Sequence, residues 1–155
     1  MEHAEILHTL AHCEFFTGLD PHQVEHLVEI CQSRTYQPGE SIFRQGDFGE
    51  HIYIIADGRV LLQRALDLGH RKGNVTLDVL GEGRILGCWS TLLDEPHLLM
   101  STAICHQTTR LLVLKGADLR RMMLSDQALG FKLMERFCFL LRHRIQSAYV
   151  AMEKI

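Results

Sequence analysis

Ten histidines and five cysteines in 155 residues are where chemistry would first be sought. His8 and His12, like His22 and His26, stand four apart, so each pair shares one face of a helix. His22-Gln23-Val24-Glu25-His26 carries the H-x-x-E-H spacing of one group of zinc peptidases. A zinc site needs a third protein ligand, and none is evident, so only adventitious metal capture is expected. The cysteines at 13, 31, 88, 105 and 138 form no Cys-x-x-Cys pair and are odd in number, which reads as free thiols in a reducing compartment. No nucleophile elbow, G-x-x-x-x-G-K-[ST] phosphate loop or convergent carboxylate pair is present, so no enzyme is expected.

Composition agrees with an ordinary globular chain. Hydrophobic residues make up 46% and charged residues 23%. A chain of this length buries roughly 68–70% of its unfolded surface and needs no staples. No apolar run approaches the ~18 residues of a membrane span. Met1-Glu2-His3-Ala4-Glu5 is acidic where a secretory signal opens basic, so a cytoplasmic protein without membrane contact is expected. Residues 1–109 hold 7 Lys/Arg against 15 Asp/Glu, whereas residues 110–155 hold 9 against 4. The basic charges are spread along a helix rather than clustered, so no direct DNA contact is expected.

Three zones position these residues. In 1–33, Ile6, Leu7 and Leu10 form a short helical stripe, Phe15-Phe16-Thr17-Gly18 interrupts it, and Asp20-Pro21 starts a second helix. In 34–115, nine of the twelve glycines lie between Gly39 and Gly87, separating short β-rich runs at 41–44, 52–55, 59–62, 75–79, 99–105 and 109–114. Strands with glycine turns at this spacing predict an antiparallel sandwich or roll. In 116–155 glycine nearly vanishes. Asp118 to Met123 reads as a short helix, and Ser125-Asp126 caps a long one.

That long helix carries two stripes. Phe131, Met134, Cys138, Leu141, Ile145, Ala148, Met152 and Ile155 follow 3-4-3-4 spacing, the pattern of a coiled-coil seam. Leu129, Leu133, Phe137 and Leu140 form a second stripe along the first half only. The first half is expected to pack on its own domain and the seam to form a homodimer.

The run Tyr36-Gln37-Pro38-Gly39-Glu40-Ser41-Ile42-Phe43-Arg44-Gln45-Gly46-Asp47, continued by Tyr53-Ile54-Ile55-Ala56-Asp57-Gly58-Arg59-Val60, resembles the signature of the cyclic-nucleotide-binding domain. That family includes catabolite activator proteins, kinase regulatory subunits and nucleotide-gated channels. Phe15 to Leu19 with the following helix resembles its N-terminal helices, and 116–155 its B and C helices. The resemblance implies a mainly β fold with flanking helices, an eight-stranded antiparallel jelly roll (a double-stranded β-helix), ending in a long dimerisation helix.

It also implies a site. The family's phosphate-binding cassette is a strand, then Gly-Glu opening a short helix, then an Arg. The helix N-terminus offers N–H donors, Glu accepts from the ribose hydroxyl and Arg forks onto the phosphate. In Leu80 to Thr102 of this chain, Gly87 matches the cassette glycine, Cys88 occupies the Glu position, and His97, Leu98 or Leu99 the Arg position. Both charged anchors are replaced. A hydrogen bond to a charged group contributes ~1.5–3 kcal/mol, so the ordinary ligand loses orders of magnitude in affinity unless another group substitutes. Arg84, Arg142 and Arg144 are the candidate substitutes, with contacts expected from Leu86, Gly87, Cys88, Trp89, Ser90, His97, Met100, Ser101 and Thr102.

Relatives on this fold hold haem in the same pocket, and thiolate, imidazole and thioether are all haem ligands. Cys88, His97 and Met100, set among apolar neighbours, therefore carry an alternative, a haem-based gas or redox sensor. A roll that binds nothing and only dimerises is another alternative. In activator relatives a helix-turn-helix domain follows, so the chain reads either as the sensor part of a transcription regulator or as a stand-alone sensor. The ligand itself is unknown from sequence, a cyclic nucleotide being one possibility.

Overall fold

The computed structural model describes residues 2–87, 92–95 and 97–155. Among these lie helices α1 (His3–Ala11), α2 (Pro21–Ile30), α3 (Gly116–Ser125) and α4 (Gln127–Met152). The strands are β1 (Gln32–Tyr36), β2 (Ser41–Phe43), β3 (His51–Asp57), β4 (Val60–Asp67), β5 (Lys72–Leu80), β6 (Ile85–Gly87), β7 (Thr102–Cys105) and β8 (Thr109–Lys115). They form two antiparallel four-stranded sheets, ordered β1-β8-β3-β6 and β2-β7-β4-β5. The jelly-roll expectation is met. Two strands escape the sequence reading: β1 is polar and lies at a sheet edge, and β6 is three residues long.

Alternation along the first sheet divides the core in two. Ile52 and Ile54 on β3, Ile85 on β6, and Leu112 and Leu114 on β8 face the helices. Their neighbours Tyr53, Ile55, Leu86, Leu111 and Val113 face into the roll, against Phe43, Val60, Leu62 and Ala103 of the second sheet. Because this sheet is covered on both faces, β3 and β8 are continuous apolar runs rather than alternating ones. The outer end of the second sheet is open to solvent, and β5 is mostly exposed.

Local signals set the helices. Asp20 caps α2 in a full capping box, accepting from the Gln23 amide at 2.9 Å while its own N–H donates to Gln23 Oε1 at 3.2 Å. Asp126 caps α4 through the Leu129 amide at 3.1 Å and also accepts from Gln23 Nε2 at 3.0 Å, tying the two helix starts together. The α3–α4 crossing depends on Gly130, where a Cβ would lie 2.8 Å from the Met123 carbonyl oxygen. Leu129, Leu133, Phe137 and Leu140 are buried against the domain, as their stripe predicts. Among the described residues no helix is long and apolar enough to cross a membrane.

Candidate functional site

A cavity of about 170 Å³ lies inside the roll beneath α4. Its floor is Phe43, Leu62 and Leu86, and its rim includes Gly87, Met100 and Ser101. The lid is α4, through Leu141, Arg144 and Ser147, with Leu77 and Asp78 of β5 at the side. Gly87 at φ +140° is required by the scaffold alone: a Cβ there would sit 2.5 Å from the His51 carbonyl oxygen of β3.

Arg144 is the charged group the lid delivers. Its side chain is 16% exposed. Nη2 donates to the Ile85 carbonyl at 2.5 Å and lies 3.8 Å from Glu14 Oε1. Nη1 lies 3.8 Å from Asp78 Oδ2, too far for a hydrogen bond, and is buried with no hydrogen-bond partner. Burial pulls the guanidinium below its ordinary pKa; Glu14 opposes this, Arg84 adds to it and Asp78 opposes it again. Asp78 also accepts from Ser147 Oγ at 3.3 Å, so one carboxylate touches the lid twice. Glu14 is fixed by the Ile85 amide, which donates to Oε1 at 3.0 Å.

The sequence-predicted residues divide. Leu86, Gly87, Met100, Ser101 and Arg144 converge on the cavity. Arg84 and Arg142 do not: both line a groove on the outer side of α4. Arg84 Nε lies 2.9 Å from Glu14 Oε2, an ion-pair distance without the alignment of a hydrogen bond. Arg142 lies over the Phe139 ring at 5.2 Å. The reason is geometric, since residues two apart on a helix face opposite ways, and only one of Arg142 and Arg144 can face the roll. Thr102 is outside the cavity lining and accepts from the Gln45 amide at 2.9 Å. Cys88, Trp89 and Ser90 lie outside the described residues.

Sequence reasoning missed Asp78, Ser147 and Glu14. Asp78 was hidden by a bulge. Leu62 pairs with Asp78 and Gln63 with Thr76, so Leu77 is the extra residue. Both Leu77 and Asp78 then line the cavity, which strict alternation forbids.

Among the described residues no haem donor set is assembled. The His97 ring nitrogen is 2.7 Å from the Leu98 carbonyl oxygen and the residue is exposed, while Met100 lines the cavity rim. Cys88 lies outside the described residues. His8 and His12 stack at 4.2 Å and His22 and His26 at 4.5 Å, but no group of three metal-ligating side chains occurs among the described residues. Burial pushes the Cys13 and Cys31 thiols up to about 12, which makes them structural rather than reactive. A larger open groove, about 620 Å³, lies between the β4–β5 hairpin and the end of α4 and shares Leu77 and Asp78 with the cavity.

Residues 33–126 match the model of the cyclic nucleotide-binding domain family. The cyclic AMP receptor protein of Thermus thermophilus is 38% identical over 103 residues, covering 66% of this chain and 45% of that protein. The crystal structure of the catabolite activator protein of Thermus thermophilus superposes with a TM-score of 0.70 at 32% identity, over 90% of this chain and 62% of that one. A cyclic nucleotide-binding domain from Methylobacillus flagellatus superposes with a TM-score of 0.78 at 22% identity, over 98% and 83%. The chain spans less than half the length of the curated relatives it matches first.

Proposed function

The chain belongs to the cyclic nucleotide-binding domain family, and on that footing we propose that it is a ligand sensor whose roll cavity takes an anionic small molecule of the cyclic-nucleotide class. Its anion anchor is Arg144 of the lid helix, in place of the cassette arginine. One observation carries this reading: a nearly buried guanidinium reaches into the cavity with Nη1 lacking a hydrogen-bond partner. A buried donor on a charged group without a hydrogen bond is costly, and a phosphate oxygen would satisfy it.

The cavity as it stands is smaller than the roughly 300–1,000 Å³ that encloses a drug-sized ligand. Ligand entry therefore displaces α4. The entering anion competes with Asp78 for Arg144, so occupancy trades a lid-to-sheet contact for a lid-to-ligand one. The seam stripe of α4 passes the shift on. Phe131, Ile145 and Met152 are 73%, 49% and 62% exposed, and Cys138 and Leu141 are exposed with them. Together with Met134 and Ala148 they form a self-complementary seam suited to a second copy of the chain. On this reading the chain senses rather than catalyses, as the sensor part of a transcription regulator.

Thermal shift with cyclic AMP, cyclic GMP, cyclic dinucleotides and haemin tests this. A ligand at 100 times its Kd adds about 2.7 kcal/mol, or roughly 5–10 °C for this size. The expected result is a cyclic-nucleotide shift that R144Q abolishes. Silence across the plate defeats the binding reading and leaves a dimerising scaffold. Light scattering should show a dimer that I145E dissociates; a monomeric wild type at tens of micromolar defeats the seam.

A further inference from the structure

The groove on the outer side of α4 has a volume of about 440 Å³ and is lined by Arg84, Arg136, Arg142 and His143, with Phe139 at its edge. Glu14 is its one carboxylate. Both Glu14 oxygens are already engaged, one by the Ile85 amide and the other by Arg84. Arg136 spends Nη1 on the Phe15 carbonyl at 3.0 Å, and neither Arg136 nor Arg142 has a carboxylate at ion-pair distance among the described residues. Three guanidinium groups thus converge on one groove with a single, occupied counter-charge. The volume falls within the range of small-molecule sites. The groove borders the proposed seam at Arg142, which lies three residues before Ile145 and four after Cys138, while His143 faces away from it.

We propose that this groove is a second anion-binding site, taking a small soluble polyphosphate that bridges Arg84 and Arg142. Forked guanidinium donors match phosphate oxygens two at a time, which is why arginines rather than lysines suit such a ligand. Neither the family match nor the roll cavity accounts for it, because Arg84 and Arg142 point away from the roll.

Calorimetric titration of the full chain with inorganic pyrophosphate and tripolyphosphate tests the site, using wild type and the R142Q, R84Q, R121Q and R144Q variants. Arg121 is exposed on α3, is not among the groove-lining residues and pairs with Asp118 at 3.1 Å, so R121Q controls for net charge. The expected result is wild-type binding that R142Q and R84Q each weaken about tenfold or more, while R121Q and R144Q leave it unchanged. Absence of binding to wild type overturns the proposal. So does equal weakening by R121Q, which would mean diffuse charge attraction. Loss in R144Q with retention in R142Q also overturns it, because the phosphate would then sit in the roll cavity. R142Q alters an exposed side chain, so its fold is not at stake.

Discussion

The cavity under α4 and the groove outside it are built around the same type of side chain, an arginine of α4, in opposite settings. Arg144 is nearly buried and held by a carbonyl with two carboxylates close by, whereas Arg142 is exposed and rests on an aromatic ring. Taking a guanidinium out of water is expensive, so the inner arginine needs compensation that the outer one obtains from solvent. Glu14 lies between the two regions and serves both, through Arg144 on one side and Arg84 on the other.

The sharpest way to break this contrast is E14A. It strands the Ile85 N–H and removes one of the two carboxylates beside Arg144, and it should cost about 2–4 kcal/mol in urea unfolding. R142A should stay within about 0.5 kcal/mol of wild type. Similar losses in the two variants would mean that burial does not distinguish the arginines. S147A, which removes the 3.3 Å donor to Asp78, should cost about 1 kcal/mol and should strengthen anion binding in the cavity, since the lid opens more easily. If S147A weakens ligand binding instead, Ser147 contacts ligand rather than latching the lid.

Salt separates the two regions further. Exposed charges are screened beyond about 8–10 Å at physiological ionic strength, and buried ones much less. Raising salt should weaken polyphosphate binding to the groove more steeply than ligand binding in the cavity, and parallel slopes in titrations would contradict the assignment. The smallest effect concerns the start of the lid. Asp126 sits below the ordinary aspartate range, chiefly through the Gln23 amide and then the Leu129 N–H. A depressed carboxyl contributes stability above its unfolded pKa and loses it as pH falls through the folded value. Acid unfolding should therefore include a component that D126N, which keeps an acceptor, removes; identical acid limbs would assign that component elsewhere.

Much of this was legible in the residues. The glycine spacing marks the roll, Asp20-Pro21 and Asp126 mark helix starts, and the two stripes of α4 separate a buried face from an exposed one. The polar edge strand β1 was not, because its backbone pairing with β8 rests on hydrogen bonds rather than on an apolar pattern. Nor was the ion cluster. Glu14 and Arg144 are 130 positions apart, and Asp78 enters only through a bulge that reverses alternation.

The sequence by itself determined the roll and the starts of α2 and α4, because these follow from turn chemistry and residue identity, and its signature run carried the resemblance to the family. Only the tertiary structure decided which arginine faces the cavity. That choice depends on the rotation of α4 over the sheet, set by Leu133 and Phe137 packing on one side and by the close crossing at Gly130. A helix whose successive residues turn by about 100° converts that rotation into the difference between a buried anchor and an exposed one.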